Sequence, residues 1–284
     1  MKLESLVRAT GEISLESVLI RLRITITLGI LYGLLVLGPM GCSLKVITCR
    51  QLQSQLAHSS NKAIIPVASE VEGWKDRHTA LKERIKRGNA GLLFIGDSIT
   101  QGWENFPELW NGYFSRWDPV NEGFRGDRTE HVLWRLSNGG IDGIRPKVAV
   151  LLIGTNNSGS DEYSAEQIAE GIEAIICTLR TKLPDTKVLL LAIFPRGSVE
   201  QRNDQTQNAT YNPQWAKNDR ASQLASRMAD HKMIFYLDIN KRFLNGQGLL
   251  SREIMPDLLH LKEKGYRILG ETIRPVIEGL LSSK

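Results

Sequence analysis

The sequence predicts an α/β domain: a central, mostly parallel sheet of about five strands with helices packed on both faces. Three observations lead there. Four short runs, Leu92–Ile95, Val148–Ile153, Val188–Phe194 and Met233–Leu237, are apolar at nearly every position. A strand with one face in water would alternate instead, so these runs suit strands covered on both sides. Between them lie segments with apolar residues at helical spacing: His131–Ser137, Ala165–Lys182 and Pro213–Ala229, with a last helix from Lys262 to Leu281. Finally, the first two runs hand over to Gly96 and Gly154, where a strand turns directly into the next element. Alternating β and α segments fit one doubly wound domain.

Taken in order, residues 55–85 read as a linker passing into a helix that leads to the first strand. A short strand near Val120 follows that strand and its helix-like successor. In doubly wound sheets ligands bind at the carboxyl ends of the strands, so the residues just after each run are the ones to read for chemistry.

The chain has 284 residues, 42% hydrophobic and 24% charged, enough to bury a substantial core. We assign residues 1–60 to an N-terminal export or anchor segment with its linker, and 64–284 to the globular domain. The net charge of +5 comes from scattered residues with no basic run interleaved with aromatics, so nucleic acid is not an expected partner. No GxGxxG or P-loop follows the first strand, which argues against a nucleotide. The three cysteines form no CxxC pair and no disulfide framework, and Cys177 reads as a small buried apolar residue. No metal and no cofactor are expected.

After Arg21 and Arg23, Ile24–Gly38 is an uncharged apolar run of about 15 residues, shorter than the ~20 a spanning helix needs. It fits the core of an export signal, giving a periplasmic or extracellular protein. An uncleaved membrane anchor is the alternative, and a mis-assigned start codon would leave the protein cytoplasmic. Gly41-Cys42 resembles a lipidation site, although Pro39 departs from that pattern.

Four strand-end elements carry the chemistry. Gly96-Asp97-Ser98-Ile99-Thr100 places a serine on a strand-to-helix turn, where its hydroxyl faces the sheet edge and free helical amides can stabilise negative charge. By itself Gly-Asp-Ser is also ordinary turn chemistry. Asn121-Glu122-Gly123-Phe124-Arg125-Gly126-Asp127 offers glycines that let a backbone N–H approach a ligand. Gly154-Thr155-Asn156-Asn157 ends the most hydrophobic strand and can aim an amide at developing charge. Asp257-Leu258-Leu259-His260 lets one loop carry a base and the carboxylate that orients it.

In this order, these elements are similar to the signature of the SGNH group of GDSL hydrolases. His131-Val132-Leu133-Trp134-Arg135-Leu136, Asn138-Gly139, Pro146-Lys147-Val148, Pro195-Arg196-Gly197 and Leu259-His260-Leu261 resemble the platelet-activating factor acetylhydrolase α-subunit branch over roughly residues 90–281. The resemblance implies a three-layer, flavodoxin-like SGNH fold and a serine esterase for short-chain esters, acetyl above all. It further implies Ser98 as nucleophile, His260 as general base and Asp257 as its orienting acid. The oxyanion hole would be the N–H groups of Ser98 and Gly126 with the side chain of Asn156. Ile99, Thr155 and Leu259 would close the acyl slot.

Two departures stand out: Arg125 where that branch carries Gly, and Arg128 where it carries Thr. They would either favour an acidic substrate or pair with Asp127 and Glu130. Ser198–Tyr211 is polar and expected to be a loop near the site. The expected partner is a small-molecule ester, an acetylated lipid or carbohydrate, and the branch implies a homodimer. Two alternatives stay open, a carbohydrate O-acetylesterase and a non-catalytic carbohydrate- or lipid-binding module on the same fold.

Overall fold

The computed structural model describes Cys49 and residues 59–283; the export-like run and the Gly41-Cys42 pair lie outside the described residues. Along the chain come α1 (Trp74–Lys86), β1 (Leu92–Gly96), α2 (Ser98–Gln101), α3 (Pro107–Phe114), β2 (Pro119–Gly123) and α4 (Thr129–Ser137). Then follow β3 (Val148–Leu152), α5 (Thr155–Ser158), α6 (Ala165–Lys182), β4 (Lys187–Leu191) and α7 (Val199–Asn203). The described chain ends with α8 (Pro213–Ala225), β5 (Ile234–Leu237) and α9 (Glu263–Ser282).

The five strands form one sheet in the order β2-β1-β3-β4-β5, with every neighbouring pair parallel. Side chains alternate across a strand, and here the alternation sorts them into two cores. Leu93, Ile95, Ala149, Leu151, Val188 and Leu190 face α1, α4, α6 and α8. Leu92, Phe94, Val150, Leu152, Leu189 and Leu191 face α3 and α9. That accounts for apolar runs without alternation: β1 and β3 are buried at every position, while edge strand β5 is buried only at Ile234.

The helices form where sequence patterning and capping agree. α6 begins at Ser164, whose hydroxyl accepts from Gln167 N while the Gln167 side chain accepts from Ser164 N, a reciprocal cap worth about 1 kcal/mol. α9 buries Tyr266, Leu269, Ile273, Ile277 and Leu280, one stripe at helical spacing, and keeps Pro275 on its exposed side.

The structure corrects several expectations. Cys177 is buried, as anticipated, but it is disulfide-bonded to Cys49, 128 residues away in sequence. Only the tertiary fold brings the two together, so no local spacing could announce it. Ser198–Tyr211 is not wholly loop, because its first residues form α7, capped by Ser198. The run Val188–Phe194 leaves the sheet at Leu191, although Ala192, Ile193 and Phe194 stay almost completely buried under the loops. Ahead of residue 64, Asn61 Nδ2 donates to Gln167 O and Glu170 Oε2 on α6, both at 2.9 Å. Among the described residues no helix is long and apolar enough to cross a membrane.

Candidate active site

The carboxyl edge of the sheet gathers the four strand-end elements into one place. Asp97 follows β1 and caps α2: its Oδ1 accepts from Ile99 N at 2.9 Å, which fixes the turn and leaves Ser98 at the first helical position. Asp97 is itself buried, and burial pushes its carboxyl up to about 7 against the pull of the Ile99 amide. Tyr266 on α9 donates its hydroxyl to Ile99 O at 2.7 Å and pins the same turn.

Ser98 Oγ lies 2.9 Å from His260 Nε2, and His260 Nδ1 lies 2.7 Å from Asp257 Oδ2. With Asp257 ionised, Nδ1 carries the proton and donates it, leaving Nε2 free to accept from Ser98. The second oxygen, Asp257 Oδ1, accepts from Leu259 N at 3.0 Å and His260 N at 2.7 Å. Partial burial pushes the pKa of Asp257 upward, but the His260 ring and these two amides outweigh it and hold the carboxyl well below the usual range. The turn is tight enough to put Leu258 in the left-handed region at φ +55°, which a buried leucine adopts only when its surroundings enforce it. Gly197 supplies that enforcement, donating its N–H to Leu258 O at 2.8 Å and lacking a Cβ that would crowd the Leu258 side chain.

The segment after β2 turns at Gly126, φ +78°, a conformation glycine adopts without cost. Among the described residues neither Ser98 N nor Gly126 N has an acceptor. Asn156 Nδ2 donates one hydrogen to Asp127 O at 2.8 Å, which orients the amide and leaves its second hydrogen unused. Ser98 N, Gly126 N and one hydrogen of Asn156 Nδ2 are thus left without an acceptor among the described residues. Ile99, Thr155 and Leu259 are 2%, 2% and 7% exposed, buried apolar or hydroxyl-bearing side chains.

The loop after β2 stands on a buried charge cluster that the sequence did not announce. Arg135 on α4 is fully buried, with Nε 2.9 Å from Asp127 Oδ2 and Nη1 2.7 Å from Glu122 Oε1. The second of these is close but misaligned for a hydrogen bond. Trp74 Nε1 donates to Asp127 Oδ1 at 2.6 Å, and Phe124 lies under the guanidinium at 4.1 Å. Two carboxylates share one cation, so burial pushes Glu122 up to about 7 in spite of Arg135. A charged residue set among Val132, Leu133 and Leu136, the buried side of α4, is the one sequence signal that could have found this cluster.

The two arginines noted in the sequence separate. Arg128 Nη1 is 3.9 Å from Glu130 Oε1 and 3.4 Å from the Tyr163 hydroxyl, with its guanidinium over the Tyr163 ring. Arg125 is exposed, and Asp127 pairs with Arg135 instead of either one. Asn157 is structural: its amide bonds Glu130 Oε2 at 3.0 Å and Thr129 N at 3.1 Å. Among the described residues there is no His, Cys, Asp and Glu grouping that could hold a metal ion.

A parallel α/β sheet carrying a serine, a histidine and an aspartate in hydrogen-bonded sequence at its carboxyl edge is the architecture of a hydrolase. The chain belongs to the GDSL-like lipase/acylhydrolase family, whose profile matches residues 94–268. It is 36% identical over 230 residues to the platelet-activating factor acetylhydrolase IB subunit alpha2 of Rattus norvegicus, covering 78% of this chain and 93% of the relative. The alpha1 subunit of Bos taurus is 34% identical over 210 residues, covering 74% and 84%. Among solved structures, one from Streptococcus pneumonia described as a platelet activating factor superposes with a TM-score of 0.59 at 24% identity, covering 72% of this chain and 92% of that one. A GDSL-like lipase from Bacteroides thetaiotaomicron gives 0.54 at 18% identity, covering 74% and 98%. At those identities the structural likeness speaks for the fold alone.

Proposed function

We propose that the chain is a serine esterase for short-chain esters, acetyl above all. The observation that carries this reading is the relay from Ser98 Oγ through His260 to Asp257, with contacts of 2.9 and 2.7 Å. His260 Nε2 takes the Ser98 proton as Oγ attacks the ester carbonyl, forming a tetrahedral intermediate. The negative charge on its oxygen is met by the N–H groups of Ser98 and Gly126 and the free hydrogen of Asn156; each such donor is worth about 3–4 kcal/mol in comparable sites. His260 then returns the proton to the alcohol as the C–O bond breaks, leaving acyl-Ser98. Water, deprotonated by the same histidine, releases the acid and restores the serine. Asp257 stays ionised throughout and stabilises the imidazolium.

Support for an acetyl-sized acyl group comes from the burial of Ile99, Thr155 and Leu259 and from the acetylhydrolase names of the relatives. The expected result is a steep fall in kcat/KM from p-nitrophenyl acetate to the octanoate, by about 10²-fold or more, since added methylenes would have to displace these buried side chains. A flat chain-length profile would overturn it. A fluorophosphonate probe is expected to label Ser98, and intact Ser98 in peptide mass spectrometry after treatment would favour the binding-module alternative.

The Cys49–Cys177 pairing supports export, because disulfides persist in oxidising compartments and are rare in the cytosol. In that setting acetylated carbohydrates and exogenous lipid esters are the substrates to screen. Thiol titration of the denatured, unreduced protein is expected to find Cys49 and Cys177 unreactive until a reductant is added; two freely reacting thiols at these positions would remove this support for export.

A further inference from the structure

Arg196 follows β4 and is only 5% exposed. Its Nη1 donates to Thr155 O and lies 3.4 Å from Thr155 Oγ1, while its buried Nε has no acceptor. Among the described residues no carboxylate lies within ion-pair distance. Asp97 and Asp257, the acidic groups whose charge it feels, are engaged with Ile99 N and with His260. Burial and the neighbouring Arg202 push its pKa down to about 10, so it remains a cation at neutral pH. Among the described residues Arg135, also deeply buried, has two carboxylates, whereas Arg196 has none. A buried, uncompensated charge is costly and calls for a specific role.

Its contacts supply that role. The guanidinium is wedged between the Thr155 turn and Gly159, where a Cβ would sit 2.9 Å from Nη1. Arg196 O accepts from Asn212 Nδ2 at 2.8 Å, and Asn212 in turn caps α8. The next residue, Gly197, donates to Leu258 O inside the Asp257–His260 turn. Arg196-Gly197 therefore straps the turn bearing Thr155 and Asn156 to the turn bearing the base and its acid.

We propose that Arg196 is a positioning residue that fixes the Thr155–Asn156 turn against the Asp257–His260 turn and thereby sets the size of the acyl slot. This rests on the short-acyl esterase reading above. The test measures kcat and KM for p-nitrophenyl acetate, butyrate and hexanoate, with melting temperatures, in Arg196→Gln and Arg196→Lys. For Arg196→Gln, kcat on acetate is expected to fall about 10- to 100-fold with little change in KM, the scale of a small misplacement of catalytic groups. The acetate-to-butyrate preference should shrink at least severalfold, and Arg196→Lys, which keeps a cationic donor, should restore much of it. Should Arg196→Gln fail to fold, Gly159→Ala pushes on the same guanidinium and is expected to shift the chain-length preference with Arg196 present. Wild-type kcat and preference in the folded variants would overturn the proposal, as would an equal loss on all three esters that tracks the folded fraction. Undiminished turnover in Ser98→Ala would instead bring down the underlying esterase reading.

Discussion

Ser98→Ala is expected to lower kcat on p-nitrophenyl acetate by about 10⁴-fold or more, the scale seen when a relay nucleophile is removed. The variant is expected to keep its melting temperature, because Ser98 is only half-buried and its side chain's bond to His260 spans an edge open to solvent. Stability changes at such positions usually stay within about 0.5 kcal/mol. The surviving activity would come from the proposed oxyanion donors acting on bound ester with water as nucleophile. Turnover unchanged in a folded variant would refute Ser98 as nucleophile, and loss of activity with loss of fold would be read from circular dichroism alongside the kinetics.

Arg135→Met is expected to be the most damaging single change to stability. Arg135 is the one cation that Glu122 and Asp127 share, with all three side chains fully buried, so its removal leaves both acids without a cation. Removing one partner from a buried ion pair costs about 3–5 kcal/mol, a large share of a domain's stability. Urea denaturation would measure it, and a loss below about 1 kcal/mol would mean the cluster is not an ionic network.

Glu122→Gln tests the same cluster through pH. Glu122 is held up to about 7 in the folded state against 4.5 unfolded, so the native state keeps a proton that the unfolded chain releases. Its contribution to stability is therefore fully present below about 4.5 and is lost as pH rises to about 7. Melting temperatures of Glu122→Gln are expected to fall less between pH 5 and pH 8 than those of the parent, because the variant has no proton at this position for the unfolded chain to release. Asp97 and Glu173, also held up to about 7, keep the slope from vanishing. Parallel curves for variant and parent would show that Glu122 is ionised throughout.

Much of the scaffold was legible because burial on both faces leaves a strong local mark. Val148–Leu152 must be apolar throughout, since alternate residues enter different cores. Ala165–Lys182 was readable from its apolar stripe alone, and in the structure the Ser164 cap fixes where it starts. The end of β4 was misplaced because Ile193 and Phe194 are as apolar as true strand residues, and burial beneath loops looks the same in sequence as burial within a sheet. Of the candidate site, the sequence marked Ser98, Asp257 and His260 through strand-end position and spacing. It carried no warning of Leu258 at positive φ, a conformation imposed by Gly197 from another loop.

What the sequence determined by itself, then, is the layered α/β domain and the residues standing at its carboxyl edge. Both follow from short-range pattern: periodicity selects the element, and the residues after a buried strand necessarily reach the edge. Only the tertiary structure decided the pairings across long separations, Arg135 with Glu122 and Asp127, Arg196 with the Thr155 carbonyl, Cys49 with Cys177. Such partners are chosen by proximity after folding and by the cost of leaving a buried polar group alone, and neither is written in any one stretch of chain.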